Sequence, residues 1–269
     1  MWCPSTARHS RVQVEQRGGV AVLTVADPAR RNALTLDLSA QLARAVEECD
    51  RDESVHAIVI TGSPPAFCAG GDLDAIAAAG AAGSAAELHR IYAGFIAVGH
   101  ASLPTIAAVN GPAVGAGLNL ALACDLRLVG PGALFDARFL QLGIHPGGGM
   151  TWLAQRAVGA QIAAALTLFA EPLDAQDAVR TGLAYRLVEV DADLEPRSPA
   201  AHAAVVDAAV QLASRSAAAA RELVVATKAT LRATAAMPGH AEAVAHETGP
   251  QLASLRSAAF ARVLAARRR

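Results

Sequence analysis

Cysteine is scarce in this chain. Four occur, Cys3, Cys49, Cys68 and Cys124, with no Cys-x-x-Cys pair and no histidine at metal-ligand spacing from them. That excludes a disulfide framework and a zinc-ribbon type of site, and it points to a reduced, cytoplasmic protein. An excess of one charge is also lacking. Lys and Arg number 23 against 24 Asp and Glu, for a formal net charge of -1, so there is no electrostatic footprint for nucleic acid. The terminal Ala-Arg-Arg-Arg269 reads as a solvated helix end favoured by the helix dipole. No apolar run is long and unbroken enough to span a bilayer, because Gly, Pro and charge interrupt the Ala-rich stretches. Met1 to Ser10 lack the apolar core of a signal peptide. No Gly-x-Ser-x-Gly elbow occurs, which argues against serine hydrolysis. Gly115-Ala-Gly117 does not complete a dinucleotide fingerprint, since the third glycine would fall at Leu120.

What the chain does have is a pair of similar stretches. Thr105 to Val109 is a short apolar run that reads as a buried strand, and Asn110-Gly-Pro112 punctuates a turn. Gly115, Ala116 and Gly117 follow, then an apolar helical segment from Leu118 to Cys124. Val55 to Thr61 is a second strand, broken by Gly62-Ser-Pro-Pro65 and followed by Ala66-Phe-Cys-Ala-Gly-Gly-Asp-Leu73. A strand, a small-residue loop and a helix start together aim free backbone N–H groups and a helix dipole at one point. Two such loops supply one N–H each to a single oxygen, the requirement of an oxyanion hole.

The remaining pattern is regular. Arg11–Gln16 and Val20–Val25 alternate around Arg17-Gly-Gly19, a hairpin. Thr35 reads as an N-cap to a helix carrying Leu38, Leu42 and Val46 on one face and ending near Asp50. Ala77 to Ala86 is low-complexity and reads as a loose loop or frayed helix. Glu87 to Val98 is a helix with Leu88, Ile91, Phe95 and Val98 on one face. Helices are expected over Met150–Val158 and Ala160–Phe169 on either side of Gly159, with a short one capped by Asp174. A last strand is expected over Ala184–Val190, then a linker, then helices only, with a break near Gly249-Pro250. Recurring strand–strand–helix units suggest a spiral rather than a doubly wound sheet. The expected division is a core over 1–196 and a helical region over 197–269.

Phe67-Cys-Ala-Gly-Gly-Asp72, Asn110-Gly-Pro-Ala-Val-Gly-Ala-Gly117 and Ala121-Leu-Ala-Cys-Asp125 resemble the enoyl-CoA hydratase/isomerase (crotonase) superfamily. So do Arg31-Asn-Ala-Leu34, Gly143-Ile-His-Pro-Gly-Gly-Gly149 and Glu171-Pro-Leu-Asp-Ala175, in the family's order and over nearly the whole chain. The resemblance implies an α/β fold: a crotonase-like spiral of ββα repeats with a C-terminal α-helical trimerisation region, assembled as a homotrimer or dimer of trimers. It implies an acyl-CoA thioester as ligand, with coenzyme A as part of the substrate and no separate cofactor. The implied hole donors are the N–H groups of Ala69 and Ala116. CoA would lie along Arg31, Ala33, Ala69, Gly71, Asp72 and Leu73, with Arg31 able to meet a phosphate and Asp72 bonding loop amides. Ala116 replaces the family's usual glycine, which suffices if the loop does not require φ > 0.

The departures lie on the side chains. The two glutamates of the family's hydratases fall here at Asn119 and Phe139, neither of which takes a proton at neutral pH. Asp136, His145, His89 and Tyr92 are the titratable candidates near the expected pocket. Three readings stand: an isomerase or atypical hydratase forming a thioester enolate, a non-catalytic acyl-CoA binder that keeps the hole, and, less favoured, other chemistry such as thioester hydrolysis or dehalogenation.

Overall fold

The computed structural model describes residues 10–267, so Cys3, the rest of 1–9, Arg268 and Arg269 lie outside it. A hairpin opens the chain: β1 (Arg11–Arg17) pairs antiparallel with β2 (Val20–Ala26) across a turn in which Gly18 takes φ +61°. β3 (Ala57–Gly62), β4 (Thr105–Val109), β6 (Leu126–Val129) and β9 (Arg186–Leu187) then add in parallel, giving a six-stranded sheet ordered β1-β2-β3-β4-β6-β9. A smaller sheet holds β5 (Pro112–Val114), β7 (Leu134–Asp136) and β8 (Leu173–Asp174). The chain passes from the large sheet to the small one twice, β4 to β5 and β6 to β7, with α4 (Ala116–Ala123) after the first passage. This is the expected spiral.

The central strands read as unbroken apolar runs because both sheet faces are covered. Their side chains alternate between two cores. Ala21, Leu23, Val25, Ile58, Ile60, Ala107 and Val109 enter one core with α1 (Leu36–Arg51), α3 (Ala85–His100) and α4. Val20, Val22, Ala57, Val59, Ile106 and Ala108 enter the other, against Val205, Val206, Ala209 and Ala213 of α7 (Pro199–Ala217). Thus α7, the first helix beyond residue 196, covers the face of the sheet opposite α1.

Local signals set the helix ends. Thr35 caps α1, its hydroxyl accepting from Leu38 N–H at 3.1 Å. At the crossing of α1 and α3, the Ser39 hydroxyl donates to Ile91 O and accepts from Gly94 N–H, both at 2.8 Å. Gly159 breaks the path of α5 (Met150–Leu168) with φ 74°, as its position suggests. Asp174 caps α6 (Ala175–Arg180).

Three expectations need correction. The Ala-rich stretch is not loose: α2 (Leu73–Ala81) forms, capped by Asp72, and Ser84 starts α3. Alanine's helix propensity together with two caps outweighs the glycines there. The last strand shrinks to β9, since β6 offers pairing only at Leu128↔Arg186 and Val129↔Leu187. Gly249-Pro250 does not break the helix. Beyond α8 (Arg221–Thr234), α9 (His240–Leu255) runs through Pro250, and the break falls at Arg256–Ser257, where the Ser257 hydroxyl accepts from Phe260 N–H to start α10 (Ala258–Arg267).

Candidate active site: two backbone turns and an acceptor floor

The loops after β3 and β4 are fastened to each other by main chain. Phe67 N–H and Cys68 N–H donate to Pro112 O, at 3.1 and 3.0 Å, and Val114 N–H donates to Cys68 O at 2.9 Å. Fully buried Asn32 braces the first loop, its amide donating to Ser63 O and Ala66 O. The second loop ends at Gly115 (φ 52°, ψ -116°), a conformation that suits glycine, and α4 begins at once with Ala116. Ala116 is itself not left-handed, so alanine is accommodated there. Gly117 presses on the first loop so closely that a Cβ would stand 2.1 Å from Cys68 O.

This frame decides which amides are free. Ala69 N–H donates to Arg31 O at 3.0 Å. It is spent in structure, which corrects its expected role as a hole donor. The free amide lies two residues on. Leu34 bridges Gly71 in parallel fashion, donating from its N–H to Gly70 O and accepting at its carbonyl from Asp72 N–H. In such a bridge the central residue's own N–H points to the other side. Gly71 N–H has no partner among the described residues, nor has Ala116 N–H at the start of α4. A Cβ on the intervening Gly70 would lie 3.9 Å from Ala116 N, so the two turns adjoin. No sequence signal separates Ala69 from Gly71; the bridge partner does.

The expected CoA-lining residues form one edge. Arg31 is exposed, with φ 51°; Ala33 precedes the bridge; and Leu73, 55 % exposed, starts α2. Asp72 caps α2, accepting from the first-turn Asp74 and Ala75 N–H rather than from loop amides, and pairs with Arg30 at 3.1 Å. That exposed pair contributes little stability.

The side-chain floor sits one helical turn into α4. Asn119 is 1 % exposed, and its Nδ2 donates to Gly147 O at 2.9 Å and Gly148 O at 3.3 Å. Those carbonyls fix the amide's orientation, and its Oδ1 is buried without a partner among the described residues. Asp136 is 5 % exposed; Oδ2 receives Arg138 Nε at 2.8 Å and Nη2, while Oδ1 is buried and unpaired. An unpaired buried polar atom costs about 1–3 kcal/mol, which marks both as candidates for function.

The other candidates separate from these. His145 is exposed, its Nδ1 donating to Pro146 O at 2.7 Å. His89 is exposed and meets Tyr92 edge-on. Half-buried Tyr92 packs near Gly147, and burial raises its phenol above the ordinary value. Phe139 packs on the core. Cys68 and Cys124 are packing residues, their thiols pushed up to about 12 by burial. No group of His, Cys, Asp and Glu suited to a metal occurs among the described residues, and no described helix is long and apolar enough to cross a membrane.

The family description "Enoyl-CoA hydratase/isomerase" matches residues 15–258. The chain belongs to the enoyl-CoA hydratase/isomerase family. Among its relatives in that family, a probable enoyl-CoA hydratase of Mycobacterium tuberculosis is 52 % identical, over 92 % of this chain and 93 % of that one. The 2,3-dehydroadipyl-CoA hydratase of Escherichia coli K12 is 37 % identical, over 69 % of this chain and 72 % of that one. A crystal structure of an enoyl-CoA hydratase from Polaromonas sp. JS666 superposes with TM-score 0.81 at 26 % identity, covering 95 % and 96 % of the two chains. One from Bacillus anthracis, at 23 % identity and TM-score 0.86, shows the shared fold alone.

Proposed function

We propose that this hydratase/isomerase-family protein binds an acyl-CoA thioester with its carbonyl oxygen between the N–H groups of Gly71 and Ala116, and stabilises the enolate formed there. The observation that carries this is the pair of unpaired amides on turns that backbone bonds fasten together. Charge develops on that oxygen as the enolate forms, so fixed donors bind the intermediate better than the ground state. The turns are bonded to each other without any ligand, and such preorganised donors spare reorganisation at the moment of reaction. The CoA portion lies along Arg31, Ala33, Gly71, Asp72 and Leu73, with Arg31 toward phosphate. The chemistry draws on no group beyond the ester and the chain's own residues. The assembly is a trimer or dimer of trimers held through the C-terminal helices, acting in the cytoplasm.

A second reading, a non-catalytic acyl-CoA carrier, draws on Asn119 and Phe139 at the glutamate positions. Titration calorimetry with butyryl-CoA, together with turnover of crotonyl-CoA and longer 2- and 3-enoyl-CoAs, separates the two. Binding with product from any ester supports the enzyme; binding without product leaves the carrier. If the ester fails to bind, or if Ala116→Pro leaves both binding and turnover at wild-type values, the hole assignment falls.

A further inference from the structure

We propose that Asn110 and Thr61 are positioning residues for the oxyanion hole. Asn110 joins the two turns at the Ala66 carbonyl, and Thr61, oriented by His202, holds Asn110 in place. This rests on the hole proposed above and deepens it, since it concerns what spaces the Gly71 and Ala116 amides. These side chains act through the turns and not on the ester.

Three stretches of chain meet at Ala66 O. Asn32 Nδ2 donates to it at 2.8 Å and Asn110 Nδ2 at 3.3 Å. Asn32 belongs to the stretch whose Arg31 O takes Ala69 N–H and whose Leu34 bridges Gly71, leaving the Gly71 amide free. Ala66 belongs to the turn that carries Gly71, and Asn110 begins the turn that ends at Ala116. The main chains are pressed together at the same place. A Cβ on Gly111 would stand 2.5 Å from Pro65 O, and one on Gly62 would run into Phe67 O. Donors to an oxyanion must sit within a few tenths of an ångström of their place, so the joint at Ala66 O bears directly on the hole.

The buried Thr61 hydroxyl backs this joint. It lies 2.9 Å from Ala108 O, 3.3 Å from Asn110 Oδ1 and 3.2 Å from His202 Nε2. Ala108 O can only accept. Asn110 Oδ1 can only accept, and it faces Thr61 because Nδ2 faces Ala66 O. A hydroxyl has one hydrogen to give. Were Nε2 a third acceptor, that hydrogen would be contested and the hydroxyl oxygen would lack a donor. The network therefore assigns Nε2–H to His202, which donates to Thr61 and turns its hydrogen toward Ala108 O and Asn110 Oδ1. In this way α7, which carries no hole residue, orients the side chain behind both turns. Aspartate at 110 would set a carboxylate oxygen against Ala66 O, two acceptors face to face, and push the turns apart.

The test reads the hole by isotope-edited infrared spectroscopy of carbonyl-labelled [13C]butyryl-CoA bound to the full chain. Two donors on the thioester oxygen weaken the C=O bond, so wild type should lower the stretching frequency relative to the free ester. Asn110→Asp and Thr61→Val should return the band part-way toward the free value, and Asn110→Asp should raise the Kd by about 2- to 10-fold. Thr61→Ser keeps the hydroxyl and should restore the wild-type band. Asp50→Ala is the control for a merely loosened fold. It removes the carboxylate that takes Ser102 and Leu103 N–H at the opposite end of β4, so it should lower Tm and leave the band in place. A wild-type band in folded Asn110→Asp overturns the proposal, as does a band that moves as far in Asp50→Ala. If Asn110→Asp does not fold, the Thr61 pair decides: a wild-type band in Thr61→Val overturns it. A wild-type complex whose band matches the free ester would instead remove the hole on which the proposal rests.

Discussion

The two halves of the site follow different rules. The turns at Gly71 and Ala116 offer main-chain N–H groups, positioned by backbone bonds such as Val114 N–H to Cys68 O. The floor at Asn119, Asp136 and Phe139 offers side chains. Alanine at 116 still offers its amide, because every residue except proline carries an amide N–H. A side chain such as Asn119 matters by its identity, because a carboxylate and an amide differ in whether they accept a proton. Chemistry delivered by main chain tolerates substitution, and chemistry delivered by side chains moves when they do.

The contrast can be broken hardest at Gly117. A Cβ there would meet Cys68 O at 2.1 Å, so Gly117→Val should force the turns apart and cost more than about 4 kcal/mol in urea denaturation. A variant of wild-type stability would show that the contact does not fasten the loops. Next, Ala116→Pro removes one free amide where proline suits the first helical position. Turnover should fall by about 10²–10³-fold with little change in Tm. Ala69→Pro serves as its opposite: it removes the bond to Arg31 O, so it should lower Tm as well, and equal effects of the two would erase the distinction between spent and free amides.

A smaller effect concerns His202 of α7, beneath the turns. Its Nε2 lies 3.2 Å from the Thr61 hydroxyl, which donates to Ala108 O at 2.9 Å. Burial first, and Arg17 second, hold its imidazole below its ordinary value, against the pull of Asp207. As pH falls below about 6.5, the unfolded chain takes up a proton before the folded one does. The stability present above that pH is then lost as pH drops through the folded value. His202→Gln should flatten that slope in denaturation curves recorded from neutral to mildly acidic pH; an unchanged slope would assign it to other groups. The smallest change is expected from Ala116→Gly, which keeps the amide. Its kcat should stay within about twofold of wild type, and its stability within about 1 kcal/mol.

Much of this was legible before the fold. The hairpin at Gly18-Gly19, the cap at Thr35 and the interruption at Gly159 are local, and each reads from a few neighbouring residues. The run from Val55 to Thr61 read as a strand, and its alternate side chains enter two separate cores. The Ala-rich segment misled because low complexity hid the caps at Asp72 and Ser84. At the site, Asn119 stands where one glutamate was expected and does lie beside the turn. His145 and Asp136 looked comparable in sequence, yet one is exposed and the other buried against Arg138.

By itself, the order of residues determined the family and the small-residue turns, because composition and spacing along the chain suffice for those. Tertiary structure alone decided that the Gly71 amide is free while that of Ala69 is consumed. It also decided that Asn119 is held by the Gly147 and Gly148 carbonyls while Asp136 is held by Arg138. The reason is physical: an N–H is available only if no carbonyl from a distant segment already takes it, and residues such as Arg31 and Leu34 reach these turns only when the chain has folded back on itself.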